Sequence, residues 1–569
     1  MFQKSGSEAR ILYWFLIIWT ALNLLQASLT GLHADEAYYW LYSKFLDWGY
    51  FDHPPMVGLF IHIGEWLGHS ALNLRLLTVI ASTLGVYVLW LIVKQQGENI
   101  KLFIGLVSSI LIFHVYGFVT APDSPLLLFG ILFLYVYQRY VYEDRAKWAI
   151  LLSLIIAGLL YSKYHGVLIL FFTILSNFKL IRRPSFWGIV ALSGLLFVPH
   201  IYWQFENGFP SLYYHLFDRS AKPYRSEYTF DYLAGQLLVA GPLVGWFLYR
   251  VAFKFKGNDL FLRAVKFNFV GIIVFFLLTT FKGRVEPHWT LLAFPPLLII
   301  SYIYLQNLKL IPGWLKTTAL INICLILLIR FAFMFPIPGL KNLKMIRGFS
   351  SSKAWAKEVK EKAGDNNVII QGGFQEASLY DFYNNTTRGF AYDTRYYRKT
   401  QFDIWPLEDS LRNKPAYYVT YDSQGADIIE DTLKTKKGIF YGRNIKAIRT
   451  YQKVNIRTEP LTDNWKAGGL RSINIRISNP YQESISFSNY DEKWKVYLEC
   501  GFIEKGKVLQ FNPVISKFNK VVVEPLGSVT IPVIIRGPAK PGKYNLVFSI
   551  RTEPFPGSRN SSMIPVNIN

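Results

Sequence analysis

Apolar residues dominate the first part of this chain and then give way to an ordinary mixture. Long apolar runs fill residues 10–335, whereas Gly, Asn, Lys and Asp recur after that point at the density of a globular protein. A stretch of about 20 apolar residues is long enough to cross a bilayer as a helix. The pattern therefore predicts a membrane part followed by a soluble part.

The apolar runs predict about eleven membrane spans, several of them shorter than a typical spanning helix. They cover residues 10–31, 72–93, 102–119, 124–140, 148–161, 165–178, 186–203, 231–249, 267–281, 288–306 and 317–335. With a cytoplasmic N-terminus, the inside segments hold seventeen Lys and Arg residues and the outside segments hold eight. Because cytoplasmic loops carry an excess of cations, the soluble part is predicted to lie on the outer side of the membrane.

The soluble part has two patterns. Residues 350–452 mix a helical stretch, SSKAWAKEVKEKAG, with short apolar strands such as NVIIQGG, which predicts a small α/β domain. Residues 453–569 show alternating β-branched runs between Gly, Pro and Asn turns, as in an immunoglobulin-like β-sandwich. With residues 1–340 as the transmembrane domain, this makes three predicted domains. Nothing in the sandwich looks catalytic, and a spacer, a glycan-contacting module or a partner dock all fit it.

Composition supports the membrane class. Half of the residues are hydrophobic (51%), 17% are aromatic and only 17% are charged. The net charge of +23 could suggest a nucleic-acid partner, but the cytoplasmic loops account for much of the excess. We therefore predict no nucleic-acid binding. The first apolar segment is longer than the core of a signal peptide and lacks a clear cleavage site, which favours a first span.

The stretch HADEAYYWLYSKFLDWGYFDHPP, residues 33–55, carries the strongest candidate chemistry. It follows the first span directly, and its Asp35 and Glu36 are candidates for a general base. Asp35, Glu36 and His53 are also residue types that hold a divalent cation, although their spacing does not require one. A structural alternative is that Asp35 and Glu36 cap an interfacial helix while Tyr38 and Tyr39 belong to an aromatic belt.

Cations on the predicted outer face form a second candidate feature. Most of them lie in the aromatic loops YSKYHG, FDRSAKPYRSEY and FKGRVEPHW. Arg can bind a lipid phosphate through two hydrogen bonds, and Lys can bind it as a point charge. Alternatively, each cation snorkels or pairs with a nearby carboxylate. The eight residues are Lys44, Arg75, Lys163, Arg219, Lys222, Arg225, Lys282 and Arg284.

These motifs resemble those of the GT-C superfamily of polyprenyl-phosphate-sugar glycosyltransferases. The acidic pair after the first span, the HPP behind it, SKYHG, FKGRVEPHW and RYYRKTQFDIW carry the resemblance, which covers residues 1 to about 450. The most similar groups are bacterial relatives of the protein O-mannosyltransferases and the aminoarabinose transferases of lipid A. The resemblance implies a GT-C membrane fold, a polyprenyl-phosphate-linked sugar donor and a lipid or glycan acceptor. It also implies a bacterial inner membrane, with the soluble domains in the periplasm.

The resemblance also implies roles for particular residues. Asp35, with Glu36 beside it, would act on the acceptor, and Lys163, Lys282 and Arg284 would hold the donor phosphate. The substrate would further be lined by His53, Tyr38, Tyr39, Arg219, Arg225, His288 and Trp289. No cofactor is required, and a divalent cation stays open. A single displacement would invert the anomeric centre.

Other functions stay open from the sequence. The acceptor could be a protein, as for the mannosyltransferases. A transporter or flippase of a lipid-linked sugar would use external charges as a gate, although transporters commonly show internal repeats and ionisable residues near the bilayer midplane. A membrane-anchored binding protein would rely on the sandwich instead.

Overall fold

The computed structural model describes residues 2–218, 223–335, 344–392, 395, 399–422, 430–461, 465–504 and 507–569. Contacts divide the chain into two compact units. The first, within Met1–Leu216 and Pro223–Ser350, is helical, and the second, chiefly Ser351–Asn569, contains all the described β-strands. The three predicted domains stay a prediction.

Helices in the first unit follow one another with short connections. They are α1 Phe2–Leu29, α2 Ala34–Lys44, α3 Met56–Glu65, α4 Ala71–Val93, α5 Ile100–Ser109, α6 Leu111–Val115, α7 Asp123–Tyr142, α8 Ala146–Ser162, α9 Gly166–Ser176, α10 Pro184–Glu206, α11 Pro210–Tyr213, α12 Ser226–Ala240, α13 Gly245–Lys254, α14 Leu260–Thr279, α15 Phe294–Gln306 and α16 Gly313–Met334. A 3₁₀ turn, Pro287–Ala293, leads into α15.

By length and composition, seven helical segments among the described residues are suited to cross a membrane. An eighth span results if α12 and α13, which meet at a bend of 98°, form one broken span. The multi-pass membrane part is thus confirmed, whereas eleven spans are not. The predicted spans at 102–119, 148–161 and 165–178 coincide with apolar helices shorter than 18 residues. The seven segments are Glu8–Leu29, Ala71–Gln96, Asp123–Tyr142, Pro184–Glu206, Leu260–Thr279, Pro287–Gln306 and Gly313–Met334.

One side chain from the last span forms hydrogen bonds with the backbone at two helix breaks in this unit. The amide nitrogen of Asn322 donates to the carbonyl of Ser109 at 2.9 Å, where α5 ends. The amide oxygen of Asn322 accepts from the backbone N–H of Leu243 at 3.0 Å, between α12 and α13. Gly241 turns the chain there with φ of +131°, and a Cβ on it would lie 2.5 Å from the Ser109 oxygen. Asn322 therefore satisfies backbone groups that the breaks release from helical pairing.

The second unit begins with a mixed α/β layer. Helix α17, Lys344–Ala363, precedes a five-stranded sheet of order β2-β1-β3-β5-β4, and α18, Phe374–Asn384, follows β1. Strand β1 pairs in parallel with β2 and β3, whereas β5 pairs antiparallel with β3 and β4. The strands are β1 Asn367–Ile370, β2 Gly389–Phe390, β3 Ala416–Thr420, β4 Asp431–Thr435 and β5 Gly438–Ile445.

The rest of this unit is antiparallel β-structure. One four-stranded sheet has the order β10-β9-β14-β15 and another the order β11-β13-β7-β6, with a short β12-β8 pair beside them. Side chains of both sheets, such as Ile475, Val533 and Phe548, share one hydrophobic core. The predicted β-rich region is confirmed, and its immunoglobulin-like topology stays a prediction. The strands are β6 Asn455–Thr458, β7 Leu470–Ser478, β8 Ile485–Ser486, β9 Val496–Glu504, β10 Lys507–Pro513, β11 Ile515–Ser516, β12 Val522–Val523, β13 Ser528–Arg536, β14 Gly542–Thr552 and β15 Ile564–Ile568.

We predict that Asn322→Leu destabilises the membrane unit. The carbonyl of Ser109 and the N–H of Leu243 would both lose their partner, and a buried unsatisfied group costs about 1–3 kcal/mol. The expected result is a lower apparent melting temperature of the purified protein in detergent. Cys324→Ala, at an exposed position two residues further along α16, is the matched control. Equal melting temperatures of the two variants would contradict the role of Asn322.

Candidate functional site

The acidic pair lies at the start of α2, as the sequence suggested, and Glu36 forms a capping box there with His33. The His33 side chain accepts a hydrogen bond from the backbone N–H of Asp35 at 3.2 Å. The Glu36 carboxylate accepts from the backbone N–H of His33 at 3.0 Å, and thus satisfies another free donor of the helix start. The Asp35 side chain is 40% exposed, whereas Glu36 is fully buried. The two adjacent carboxylates therefore have different environments.

Glu36 is bound by a buried arginine from α4. The Arg75 guanidinium donates to Glu36 through Nε at 2.8 Å and Nη2 at 2.6 Å, and its remaining donors bind the carbonyls of Ala27, Thr30 and Gly31. Glu36 also accepts from the backbone N–H of Thr120 at 3.0 Å. The carboxylate therefore ties α2 to α4 and to the segment before α7. Arg75, which the sequence placed among the external cations, is buried in this pair.

The chain from Phe45 to Pro55 is held against α10. The Trp203 indole donates to Asp47 at 2.7 Å, and the His200 ring contacts the Trp48 carbonyl at 2.7 Å. A Cβ on Gly49 would lie 2.5 Å from a Trp203 ring carbon, so only glycine permits this close approach. These contacts fix the loop that carries His53.

Aromatic rings of α2 pack behind this loop. Tyr42 and Tyr50 stack with 3.7 Å between ring centroids, and the Tyr42 hydroxyl donates to Asp52 at 2.6 Å. Tyr38 is buried and meets Tyr42 edge-on at 5.1 Å. The ring of Tyr39 lies 5.8 Å from that of His53. Tyr38 thus supports the loop, whereas Tyr39 faces His53.

A buried ion pair joins α7 to the end of α8. The Lys163 ammonium donates to both carboxylate oxygens of Asp123, at 2.9 and 2.8 Å. Their side chains are 7% and 4% exposed. Asp123 is the first residue of α7 and Lys163 follows the last residue of α8, so antiparallel neighbouring helices bring the two charges together.

His53 lies among these charges and is held neutral. Burial lowers the pKa of His53 to about 3, and the charges of Lys163 and His215 act in the same direction, while Asp52 and Asp123 oppose them. The His215 ring is 6.5 Å from that of His53 and also contacts the Asp52 carbonyl at 3.1 Å. At neutral pH the His53 ring can therefore exchange hydrogen bonds without adding a charge.

Three carboxylates affect the ionisation of the Tyr39 hydroxyl. Burial raises the pKa of Tyr39 well above its ordinary value, and the charges of Asp35, Asp52 and Asp123 raise it further. We call Asp35, Tyr39, Asp52, His53, Asp123 and Lys163 the Asp35 cluster. Within it, the Asp35 side chain is more exposed than the Asp123 and Lys163 side chains.

Other predicted site residues lie at the edge or elsewhere. His288 is half-buried with its ring 6.2 Å from that of Tyr116, and Trp289 lies 5.6 Å from His165. Lys282 and Arg284 are exposed, and Arg284 pairs with Glu286 at 3.2 Å. Arg225, also exposed, pairs with Glu227 at 3.5 Å. Arg219 lies outside the described residues.

The structure also bears on a divalent cation. Among the described residues, no three or more His, Cys, Asp or Glu side chains are grouped so as to hold a metal ion. Of the suggested ligands, Glu36 is already bound by Arg75. The described part of the chain therefore contains no group of three such side chains that could bind a divalent cation.

Sequence reasoning missed Asp123, His215 and the partner of Glu36. Asp123 stands in APDSP, immediately before the predicted span 124–140, and Lys163 stands after the span 148–161. Two such spans place both residues on one face of the membrane, so a pairing of external charges could have indicated Asp123. His215 gives no comparable signal, because its contact with Asp52 depends on the packing of a distant segment.

The chain is similar to known proteins in part of its sequence and in its fold. Residues 52–203 match the family model described as dolichyl-phosphate-mannose-protein mannosyltransferase. The crystal structure of ArnT from Cupriavidus metallidurans in the apo state matches with a TM-score of 0.56 and 14% identity, over 77% of this chain and 98% of that one. The same protein bound to undecaprenyl phosphate matches with a TM-score of 0.55 and 14% identity, over 76% and 97%. No curated protein sequence matches the chain.

The resemblance to the GT-C superfamily is thus confirmed at the level of the fold. The family match begins at Asp52 and spans His53, Asp123 and Lys163, so much of the Asp35 cluster falls inside it. Asp35 and its capping box lie before the matched residues.

We predict that the fold is stable only when the buried charges of Glu36 and Arg75 balance each other. Arg75→Met leaves a buried carboxylate without its cation, which typically costs about 3–5 kcal/mol. The double variant Glu36→Gln and Arg75→Met removes both charges and should recover a large part of the lost melting temperature. The measurement is thermal unfolding of the three purified proteins. A double variant no more stable than Arg75→Met would contradict the coupling.

We also predict that His53 contributes to acid destabilisation. Because its folded pKa is about 3 against an ordinary 6.5, the unfolded chain binds a proton between these values that the folded chain does not. The neutral ring therefore costs no stability above pH 6.5, and stability falls as the pH is lowered through this window. Melting temperatures measured from pH 7.5 to 4.5 should fall less steeply for His53→Gln than for the wild type. Identical slopes would contradict the neutral buried ring.

Proposed function

We propose that this protein is a membrane glycosyltransferase that moves a sugar from a polyprenyl-phosphate donor to a lipid or glycan acceptor. The observation that carries the proposal is the Asp35 cluster, in which an exposed carboxylate shares its surroundings with a buried Lys–Asp pair and a neutral histidine. The fold shared with ArnT and the mannosyltransferase family match support it. ArnT bound to undecaprenyl phosphate supports a polyprenyl phosphate as the lipid carrier.

On the donor side, Lys163 is the favoured residue for the phosphate. Its ammonium is fixed by Asp123, so it offers a positioned positive charge where a leaving phosphate needs stabilisation. Lys282 and Arg284 are exposed and suit an outer role, such as attracting the anionic head group. Because a lipid phosphate is already a good leaving group, the reaction requires no nucleotide site.

On the acceptor side, Asp35 serves as the general base. It takes the proton of the acceptor hydroxyl as that oxygen forms a bond to the anomeric carbon. The bond from this carbon to the phosphate oxygen breaks, and polyprenyl phosphate leaves with the bonding electrons. A single displacement of this kind inverts the anomeric configuration. His53 and Tyr39 contribute hydrogen bonds and ring surface beside the sugar.

The site is proposed to face the periplasm, because the loops on the side of Asp35 carry the fewer cations. The acceptor could instead be a protein, in keeping with the description of the matched family. A flippase is less favoured, since the charged residues of the Asp35 cluster lie in connections or at helix ends and not in the middle of a span.

We predict that Asp35→Asn abolishes transfer and leaves the protein folded. The amide is nearly isosteric but cannot take up the proton, and loss of a general base typically lowers the rate about 100- to 10,000-fold. The assay follows release of undecaprenyl phosphate from undecaprenyl-phosphate mannose or aminoarabinose, with lipid A, a glycan extract or a peptide as acceptor. Glu206→Gln, an exposed carboxylate at the end of α10, is the matched control and should retain activity.

The outcomes separate the alternatives. Release that depends on lipid A or glycan supports the proposed acceptor, and release that depends on peptide supports protein glycosylation. Movement of intact donor across a vesicle membrane without release would indicate a flippase. Full activity of Asp35→Asn would remove Asp35 from the mechanism.

A further inference from the structure

A buried arginine in the last span stands apart from the site described above. Arg330, in α16, is almost fully buried. It lies on the same helix face as Asn322 and Ile326, because the three residues follow one another at intervals of four. Its guanidinium donates to Gln26 at 2.9 Å, to His114 at 3.1 Å and to Asn23 at 2.8 Å. None of these three acceptors, two amides and an imidazole, carries a negative charge.

No carboxylate within the described part of the chain pairs with Arg330. An arginine buried in a span without a counter-ion costs more free energy than an apolar side chain of similar volume. Packing alone would therefore favour Met or Leu at this position. The guanidinium nevertheless donates to three buried side chains, which neither Met nor Leu could do, and this points to a purpose in holding those side chains in place.

The contacts of Arg330 lead to the segment that joins α6 to α7. Its guanidinium carbon lies 5.8 Å from the centroid of the Phe118 ring, and the guanidinium carbon of Arg75 lies 5.5 Å from the same centroid. Asn23, which Arg330 binds, is packed against Gly117, where a Cβ would lie 2.8 Å from the Asn23 amide oxygen. His114, Gly117 and Phe118 are thus all held by Arg330 or its partners.

The same segment, residues 114–123, ends in the Asp35 cluster. Two residues after Phe118, the Thr120 N–H donates to Glu36, and the Thr120 hydroxyl pairs with that of Thr78 at 2.8 Å. Three residues further, Asp123 holds Lys163. The Phe118 ring lies near Arg75, which binds Glu36, and near Arg330 from the last span. It therefore fixes the segment that carries Asp123.

We propose that Arg330 is a positioning residue for the transfer reaction, acting through Phe118 and residues 114–123 on the placement of Asp123 and Lys163. This inference rests on the proposed function for its kinetic consequence, whereas its structural part stands alone. The last span would thus help to position the site, although Arg330 itself is too buried to touch a substrate.

The test compares Arg330→Met and Phe118→Leu with Cys324→Ala, an exposed position on the same helix, as control. Arg330→Met leaves Gln26, His114 and Asn23 without this donor and is expected to lower the melting temperature, so kcat is expressed per folded protein. Hydrogen exchange in peptides covering residues 114–123 should become faster in both variants. The kcat for undecaprenyl-phosphate mannose or aminoarabinose should fall about 10- to 100-fold while KM stays within twofold, because misplacement of reacting groups affects the reaction rate.

The double variant decides whether the two residues act together. If Arg330 acts through Phe118, Arg330→Met with Phe118→Leu lowers kcat no more than the stronger single variant. The proposal is overturned if the losses of kcat in the two single variants multiply in the double variant. It is also overturned if hydrogen exchange at residues 114–123 is unchanged, or if the loss of kcat merely follows a loss of folded protein. If the wild type turns over no donor, the proposed function fails, and the exchange measurement alone decides whether Arg330 orders the segment.

Discussion

The arrangement of the site depends on the buried ion pair between Glu36 and Arg75. Its two charges connect the end of α1, the start of α2, the helix α4 and the segment before α7. A charge pair withdrawn from water is stable only when every donor and acceptor is matched, and this pair meets that condition through three backbone carbonyls and two backbone N–H groups. It leaves the adjacent Asp35 in the first turn of α2 with a side chain that is 40% exposed, so that this carboxylate is accessible.

The membrane imposes the second constraint. Backbone groups in hydrocarbon need partners within the protein, so a broken helix at that depth requires a polar side chain. Asn322 supplies it to two breaks at once, and Arg330 lies two helical turns further along the same face of α16. A single span thus brings both a stabilising amide and a buried charge to the interior of the bundle.

Much of this organisation follows from the sequence. The division into apolar and polar parts predicts the membrane helices and the β-rich end, and the acidic pair after the first span suggests residues that cap a helix there. The sequence does not reveal that the adjacent Glu36 is buried, because that depends on Arg75 from another helix. Nor does it give the bend between α12 and α13, since the residues around Gly241 read as one apolar run. For the same reason the sequence does not distinguish Lys163 from Lys282 and Arg284: the local pattern is alike, and only packing separates a buried pair from exposed charges.

A structure of the protein with undecaprenyl phosphate, solved by electron cryomicroscopy, tests the central claim most directly. We predict that the phosphate lies within hydrogen-bonding reach of Lys163 and beside His53, with space for a sugar between it and Asp35. A phosphate bound instead at the exposed Lys282 and Arg284, or away from the Asp35 cluster altogether, would contradict it.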